Sequence, residues 1–114
     1  MDTKIIEVYL IEYLSKELGV NVYGQEEDAE DGSYVVIEKL GSYVENFTRH
    51  ATIALKSYGT TLLESAELNE KVKNAMDDVI KKPEISCSKL NSDYNFTDTT
   101  TKKYRYQAVY DLVY

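Results

Sequence analysis

The feature that most constrains the fold is a strict alternation of side chains at the end of the sequence. From Lys103 onward, tyrosine and aliphatic residues recur at every second position, and the positions between them hold Arg105, Gln107, Val109, Asp111 and Val113. Because successive side chains of a strand point to opposite faces, this pattern predicts one long, half-buried β-strand. Tyrosine suits such a strand, since its ring is apolar and its hydroxyl is polar. The residues predicted to share one face are Tyr104, Tyr106, Ala108, Tyr110, Leu112 and Tyr114.

Two segments show the three- and four-residue spacing of amphipathic helices. The first is Asp2 to Leu18, which Asp2 or Thr3 can cap at its start and which Gly19 is placed to end. The second is Thr61 to Lys82. It opens with a capping-box pattern from Thr61 to Glu64 and stops before Pro83.

Further strands are predicted from short runs rich in β-branched or apolar residues: Val20–Tyr23, Tyr34–Leu40, Thr48–Tyr58 and Glu84–Leu90. A glycine-containing connection through Asn46 favours a hairpin between the second and third of these. The polar stretch Asn91–Thr101 is predicted to be a loop. The element order is therefore α-β-β-β-α-β-β. It predicts a single α+β domain over residues 1–114, in which a mostly antiparallel sheet of four to five strands carries both helices on one face.

Net charge and hydropathy limit the kinds of partner and location that we expect for this protein. Thirteen basic and twenty acidic residues give a net charge of −7. This argues against a protein that acts mainly by clamping nucleic acid, because phosphate binding needs clustered lysine and arginine. The apolar positions are periodic, and no run has the length of a membrane span or the form of a signal peptide. We therefore expect the chain in the cytoplasm of its host cell unless it is packaged in a particle.

The sequence contains few of the residue types that commonly act in catalysis or metal binding, and they do not cluster. Cys87 and His50 are single residues of their types, so an internal disulfide or an ordinary Cys/His zinc site is not expected. We predict a semi-buried strand position for Cys87 and a surface or interface position for His50. The scattered glycines form no phosphate-binding loop. Asp93–Asp98 resembles the start of a calcium loop but lacks its glycine, so a turn held by Asn and Asp side chains is predicted. We expect no enzyme activity, cofactor or metal.

Two polar segments are the candidate interface. The first is predicted to be a solvated loop or a surface that docks on a basic neighbour. It contains no basic residue and five acidic ones: Glu26, Glu27, Asp28, Glu30 and Asp31. The second places two aromatic rings in a polar context, which is costly unless a partner covers them: Asp93, Tyr94, Asn95, Phe96 and Asp98. For Tyr104, Tyr106 and Tyr110 we expect packing under the helices, with an interface role as the alternative.

Two segments resemble proteins of one viral family. They are ALKSYGTTLLESAELNEKVKNAM (Ala54 to Met76) and SDYNFTDTTTKKYRYQAVYDLVY (Ser92 to Tyr114). Both look like the corresponding segments of the tail-terminator, or tail-completion, proteins of siphophages and prophages of Gram-positive bacteria. The resemblance implies a non-catalytic ring, usually hexameric, that caps the tail tube and meets the connector of the filled head. It implies location in the virion at the head–tail junction and carries over no active-site residue.

Three other functions remain open from the sequence. A head-side connector or head-completion protein has a similar size and also forms rings. A non-structural regulator or inhibitor encoded by a prophage would be absent from purified particles. A small enzyme is disfavoured by the missing catalytic constellations.

Overall fold

The chain folds into two helices and a five-stranded sheet, which confirms the predicted α+β class. The computed structural model describes residues 5–25, 32–101 and 103–114. In chain order the elements are α1 (Ile6–Leu18), β1 (Asn21–Tyr23), β2 (Tyr34–Glu45), β3 (Thr48–Gly59), α2 (Leu62–Asp78), a 3-10 helix (Val79–Lys81), β4 (Cys87–Asn95) and β5 (Tyr104–Val113). The predicted capping residues Asp2 and Thr3 lie outside the described part of the chain.

The spatial order of the strands is β1-β2-β3-β5-β4. Neighbouring strands are antiparallel except β1, which pairs in parallel with the start of β2, so the sheet is mixed rather than wholly antiparallel. The alternating C-terminal segment becomes β5, which lies between β3 and β4. A strand with neighbours on both sides and a helix over one face needs the apolar alternation that the sequence shows.

Both helices pack on the same face of the sheet, as predicted. A single core cluster joins α1 and α2 to alternate residues of β2, β3 and β5. Its fully buried members include Leu10, Leu14, Val72, Ile53 and Tyr110. We call the opposite side of the sheet the open face, and a smaller buried cluster of Tyr34, Val36 and Tyr58 lies there.

The helix ends follow the predicted signals. Gly19 ends α1 in the left-handed region with φ 66°, where a side chain would be strained. At the start of α2, the Thr61 side chain accepts a hydrogen bond from the Glu64 N–H at 3.1 Å, which confirms the capping interaction. The α-helix ends at Asp78, before the predicted Lys82, and the 3-10 turn carries the chain to Pro83.

The β2–β3 hairpin is longer than predicted, and the expected connection from Gly41 to Asn46 is wrong. β2 continues to Glu45, with a register shift between Lys39 and Gly41. Glycine is tolerated at a β-bulge, so Gly41 does not end the strand as the sequence predicts. The hairpin closes on Asn46 and Phe47 with φ values of 50° and 63°. Positive φ at both central residues is the mark of a type I′ hairpin turn.

The predicted loop Asn91–Thr101 is also wrong in its first half, because β4 runs from Cys87 to Asn95 and pairs with β5, with a register shift between Leu90 and Ser92. Its sequence is polar because β4 is an edge strand whose residues are mostly exposed. Three burial predictions need correction as well. Cys87 is exposed rather than semi-buried, and Tyr104 and Tyr106 are half-buried and lie outside the core that contains Tyr110.

Candidate interaction surface

A stripe of rings crosses one end of the open face from the first strand of the sheet to the last. The Tyr34 and Tyr58 rings stack with centroids 4.5 Å apart, and Tyr23 meets Tyr34 edge-on at 5.9 Å. Cross-strand aromatic pairs of this kind stabilise a sheet. The stripe contains Tyr23, Tyr34, Tyr58, Arg105, Phe96 and Tyr94.

Arg105 links the two halves of this aromatic stripe. Its guanidinium lies 4.5 Å from the centroid of Phe96 and 5.8 Å from that of Tyr58. Its Nε donates to the Phe96 carbonyl oxygen at 2.6 Å, and Nη1 donates to the Tyr58 hydroxyl at 3.2 Å. A guanidinium held by both cation–π contacts and hydrogen bonds is positionally fixed, so it orients the rings on either side.

Tyr94 and Phe96, two of the predicted interface residues, end the stripe. Their rings meet edge-on at 5.7 Å, and they are 41% and 40% exposed. The buried Gln107 donates through Nε2 to the Tyr94 hydroxyl at 2.5 Å. Its Oε1 is buried without a partner among the described protein groups. The two rings are thus held in place while part of each faces solvent.

Asp93 lies on the helix side of the sheet, away from Tyr94. Its carboxylate accepts hydrogen bonds from Asn69 Nδ2 at 2.7 Å and Lys73 Nζ at 2.6 Å. The bond from Lys73 to Asp93, together with its bond to Glu70, raises the pKa of Lys73. Asp93 therefore holds β4 against α2, and its charge is already compensated within the chain.

Asn95 and Asp98 organise the turn that follows β4, which confirms the predicted role of Asn and Asp side chains there. Asn95 Oδ1 accepts from the Thr97 N–H at 3.0 Å. Asp98 Oδ1 accepts from the Thr100 N–H at 2.9 Å, and its bonds to Thr101 and Thr100 lower the pKa of its carboxyl group. Such side-chain turns present Phe96 on a defined backbone. The acidic candidates Glu26, Glu27, Asp28, Glu30 and Asp31 lie outside the described residues.

A second surface, which the sequence reasoning missed, is the outer half of the β2–β3 hairpin. We call residues 40–49 the hairpin arm. Its exposed apolar side chains are Leu40, Tyr43, Val44 and Phe47, and the Phe47 side chain is fully exposed at the tip. The sequence predicts an end of the strand before Gly41, so these apolar residues fall in the predicted connection.

The arm is ordered by pairing and stacking rather than by a core. Its two strands stay in register from Gly41 with Thr52 to Glu45 with Thr48. The Tyr43 ring stacks on His50 with centroids 4.4 Å apart and an interplanar angle of 5°. A rigid strand pair with apolar side chains in solvent is the form of a protein-binding element.

The single histidine and the single cysteine of the sequence lie on different strands of the sheet. His50 and Cys87 both pair with Val113 of β5, one from each side, so they stand about 10 Å apart, two strand spacings. That separation is too large for a thiol–imidazole hydrogen bond. Within residues 5–25, 32–101 and 103–114, no three His, Cys, Asp or Glu side chains cluster as metal ligands would. No helix in those ranges is both long and apolar enough to cross a bilayer.

No protein-family model matches the sequence, and no curated protein matches it either.

Proposed function

We propose that the protein is a structural component of the head–tail joint of a siphophage or prophage, where a ring of its copies caps the tail tube as a tail terminator. Its partners are further copies of itself, the tail-tube protein and the head–tail connector. Its role is binding and not catalysis. It is made in the bacterial cytoplasm and ends in the virion, and the ring is a hexamer.

The observation that carries a binding role is the hairpin arm. Val44 is 69% and Phe47 102% exposed, and burying a large apolar side chain stabilises by about 1.5–3 kcal/mol. An arm with several such side chains gains most of that energy only when a partner covers it. Its strands are paired before any partner binds, so little conformational entropy opposes docking.

The resemblance to tail-terminator proteins is the reason for proposing this particular ring assembly. The segment Ala54–Met76 spans the second half of β3 and most of α2, and Ser92–Tyr114 spans the end of β4 and all of β5. α2 packs on β3 and β5 in the core, so the two resembling segments form one contiguous part of the fold. The resemblance therefore concerns one part of the core and not two separate regions of the fold.

Two surfaces are candidates for contact with the tube or the neck. The first is the end of the aromatic stripe, where Tyr94 and Phe96 meet, with the following turn that contains Asp98. The second is the acidic segment Glu26–Asp31. Charge reversal in either segment is expected to weaken docking, because both segments contain acidic and no basic residues. Full infectivity of a variant with both segments neutralised would contradict this assignment.

The test is electron microscopy of a lysate from the parent element with this gene deleted. We expect DNA-filled heads beside detached tails that are over-long or irregular. Free tails of normal length beside leaky or empty heads would place the protein on the head side of the joint. Intact virions would contradict a structural role and favour a non-structural protein of the prophage.

Complementation of the deletion tests the arm with a matched control. Val44→Ser removes an exposed apolar side chain of the arm, and Leu63→Ser removes one of equal exposure, 68%, on α2. We expect Leu63→Ser to restore virions and Val44→Ser to reduce their number. Equal rescue by both variants would contradict a binding role for the arm.

A further inference from the structure

The sheet has two uncovered edges, one at each side. β1 pairs only with Tyr34 to Val36, so the outer edge of β2 from Ile37 to Glu45 has no partner strand in the described ranges. At the other side, β4 pairs with β5 alone along Cys87 to Asn95. Unpaired edges of this length are templates for pairing with another chain, and soluble proteins usually shorten or cover them.

The directions of these edges suit each other. β2, β3, β5 and β4 are antiparallel to one another in turn, so β4 runs opposite to β2. Two copies placed side by side in the same orientation would bring β4 of one against β2 of the next as an antiparallel pair. This contact uses a different surface on each copy, so it repeats and closes into a ring when the rotation between copies allows.

Side-chain chemistry selects a register for that pair. Ser42 pairs with the core residue Ala51, so Val44, two residues along, lies on the helix side of the sheet. Leu90 pairs with the core residue Tyr110 and lies on the same side. Val44 and Leu90 are 69% and 40% exposed, so each offers apolar area to a neighbour.

The adjacent positions carry opposite charges. With Val44 opposite Leu90, antiparallel pairing sets Glu45 opposite Lys89 on the open face. Both residues are exposed, and neither forms an ion pair with a described residue of its own chain. An apolar pair beside an opposite-charge pair is the usual form of a stabilising cross-strand contact.

We infer that the outer edge of β4 in one copy pairs with the outer edge of β2 in the next copy, with Val44 on Leu90 and Glu45 on Lys89. This contact continues the sheet from copy to copy. The contact adds detail to the proposed function, and the closed ring rests on that proposed function. The partner is a second copy of this chain.

Disulfide cross-linking tests the contact directly in the purified full chain. In a Cys87→Ser background, one sample carries Glu45→Cys and another carries Lys89→Cys. After mild oxidation at high protein concentration, we expect a covalent dimer only when the two samples are mixed, because the contact joins different surfaces. Opposed Cα atoms in an antiparallel pair lie within the range that a disulfide spans. A matched control pairs Lys89→Cys with Glu67→Cys, an exposed position on α2, and should give no dimer.

Several outcomes would overturn the inference. Absence of a covalent dimer in the mixture would do so. An equal yield of dimer in either sample alone would also do so, because it would mean that the contact joins identical surfaces. Charge reversal then tests the register, with the cross-link moved to Val44→Cys and Leu90→Cys in the Cys87→Ser background. Glu45→Lys should lower the rate of cross-linking roughly fivefold, and adding Lys89→Glu should restore it. Failure of the second reversal to rescue would exclude this register.

The result is separable from that of the gene deletion. Specific cross-linking together with intact virions in the deletion lysate would leave the contact standing and remove the tail-terminator role. Tail defects without cross-linking would keep the role and remove this contact.

Discussion

At the scale of single residues, the backbone at the junction between β3 and α2 is closely packed around Gly59. Glu64 Oε2 accepts hydrogen bonds from the Thr60 N–H, at 2.9 Å, and from the Thr60 hydroxyl. These bonds lower the pKa of the Glu64 carboxyl group. Together with the Thr61 cap, they draw the first turn of α2 onto the end of β3. Little space is left for a side chain at Gly59.

Gly59→Ala is therefore expected to destabilise the chain by about 1–3 kcal/mol. A Cβ at this position would lie 2.6 Å from the Ser65 nitrogen and 2.9 Å from the Glu64 Cβ, so the helix start would have to move. Denaturant unfolding measures the loss. Gly41→Ala is the control, because a Cβ there meets nothing within 4 Å. Equal stability of the two variants would contradict the proposed close packing.

At the scale of elements, the hairpin arm combines a strained turn with an exposed ring. Asn46 tolerates positive φ well, whereas Phe47 at φ 63° does not. Asn-Gly is the residue pair that this turn type favours most. The phenylalanine at the tip thus costs stability in the isolated chain, which is expected where a residue serves a contact with a partner.

Phe47→Gly should accordingly raise the free energy of unfolding by about 0.5 kcal/mol, because relief of the left-handed strain exceeds the added entropy of glycine. Phe47→Ala is the control that removes the ring and keeps the strain, so it should leave stability near that of the wild type. Thermal or denaturant unfolding compares the three proteins. If Phe47→Ala raised the free energy of unfolding as much as Phe47→Gly, the exposed ring and not the backbone conformation would be the source of the destabilisation.

At the scale of the whole molecule, buried tyrosine hydroxyls join the layers. The Tyr13 hydroxyl on α1 donates to the Ala75 carbonyl oxygen of α2 at 2.7 Å. The Tyr110 hydroxyl on β5 reaches Asp77 Oδ1 at 2.9 Å and the Lys73 carbonyl oxygen at 3.2 Å. Burial is the main cause that raises the pKa of Tyr13 to about 12, and it also raises the pKa of Tyr110. Both hydroxyls hold their protons in the folded chain.

This arrangement predicts a loss of stability in alkali. Above the ordinary tyrosine pKa of 10.0 the unfolded chain loses these protons while the folded chain keeps them, so the free energy of unfolding falls as pH rises. The variant Tyr13→Phe with Tyr110→Phe should lose about 1 kcal/mol per hydrogen bond at neutral pH. It should also show a shallower decline between about pH 10 and pH 12. Denaturant unfolding across this range measures both effects, and equal slopes would refute the burial argument.

Local signals predicted the elements that have a strong period or a clear cap. β5 follows from its alternation, and α2 follows from its apolar stripe and from Thr61. The edges of the sheet were harder to predict. Asn91 to Asn95 is polar because edge residues need no burial, so composition alone cannot separate such a strand from a loop. The bulge at Leu40 and Gly41 likewise looks like a turn in sequence.

The sequence by itself determined the class of the fold, the two amphipathic helices and the long alternating strand, because these depend on residue type and on periods of two and 3.6 residues. Tertiary structure alone decided that Asp93 faces α2 while Tyr94 lies on the open face, that the aromatic stripe is continuous across five strands and that the arm is exposed. The physical reason is that these features arise from strand pairing between residues far apart in the chain. Pairing depends on register and neighbours, which no local pattern encodes.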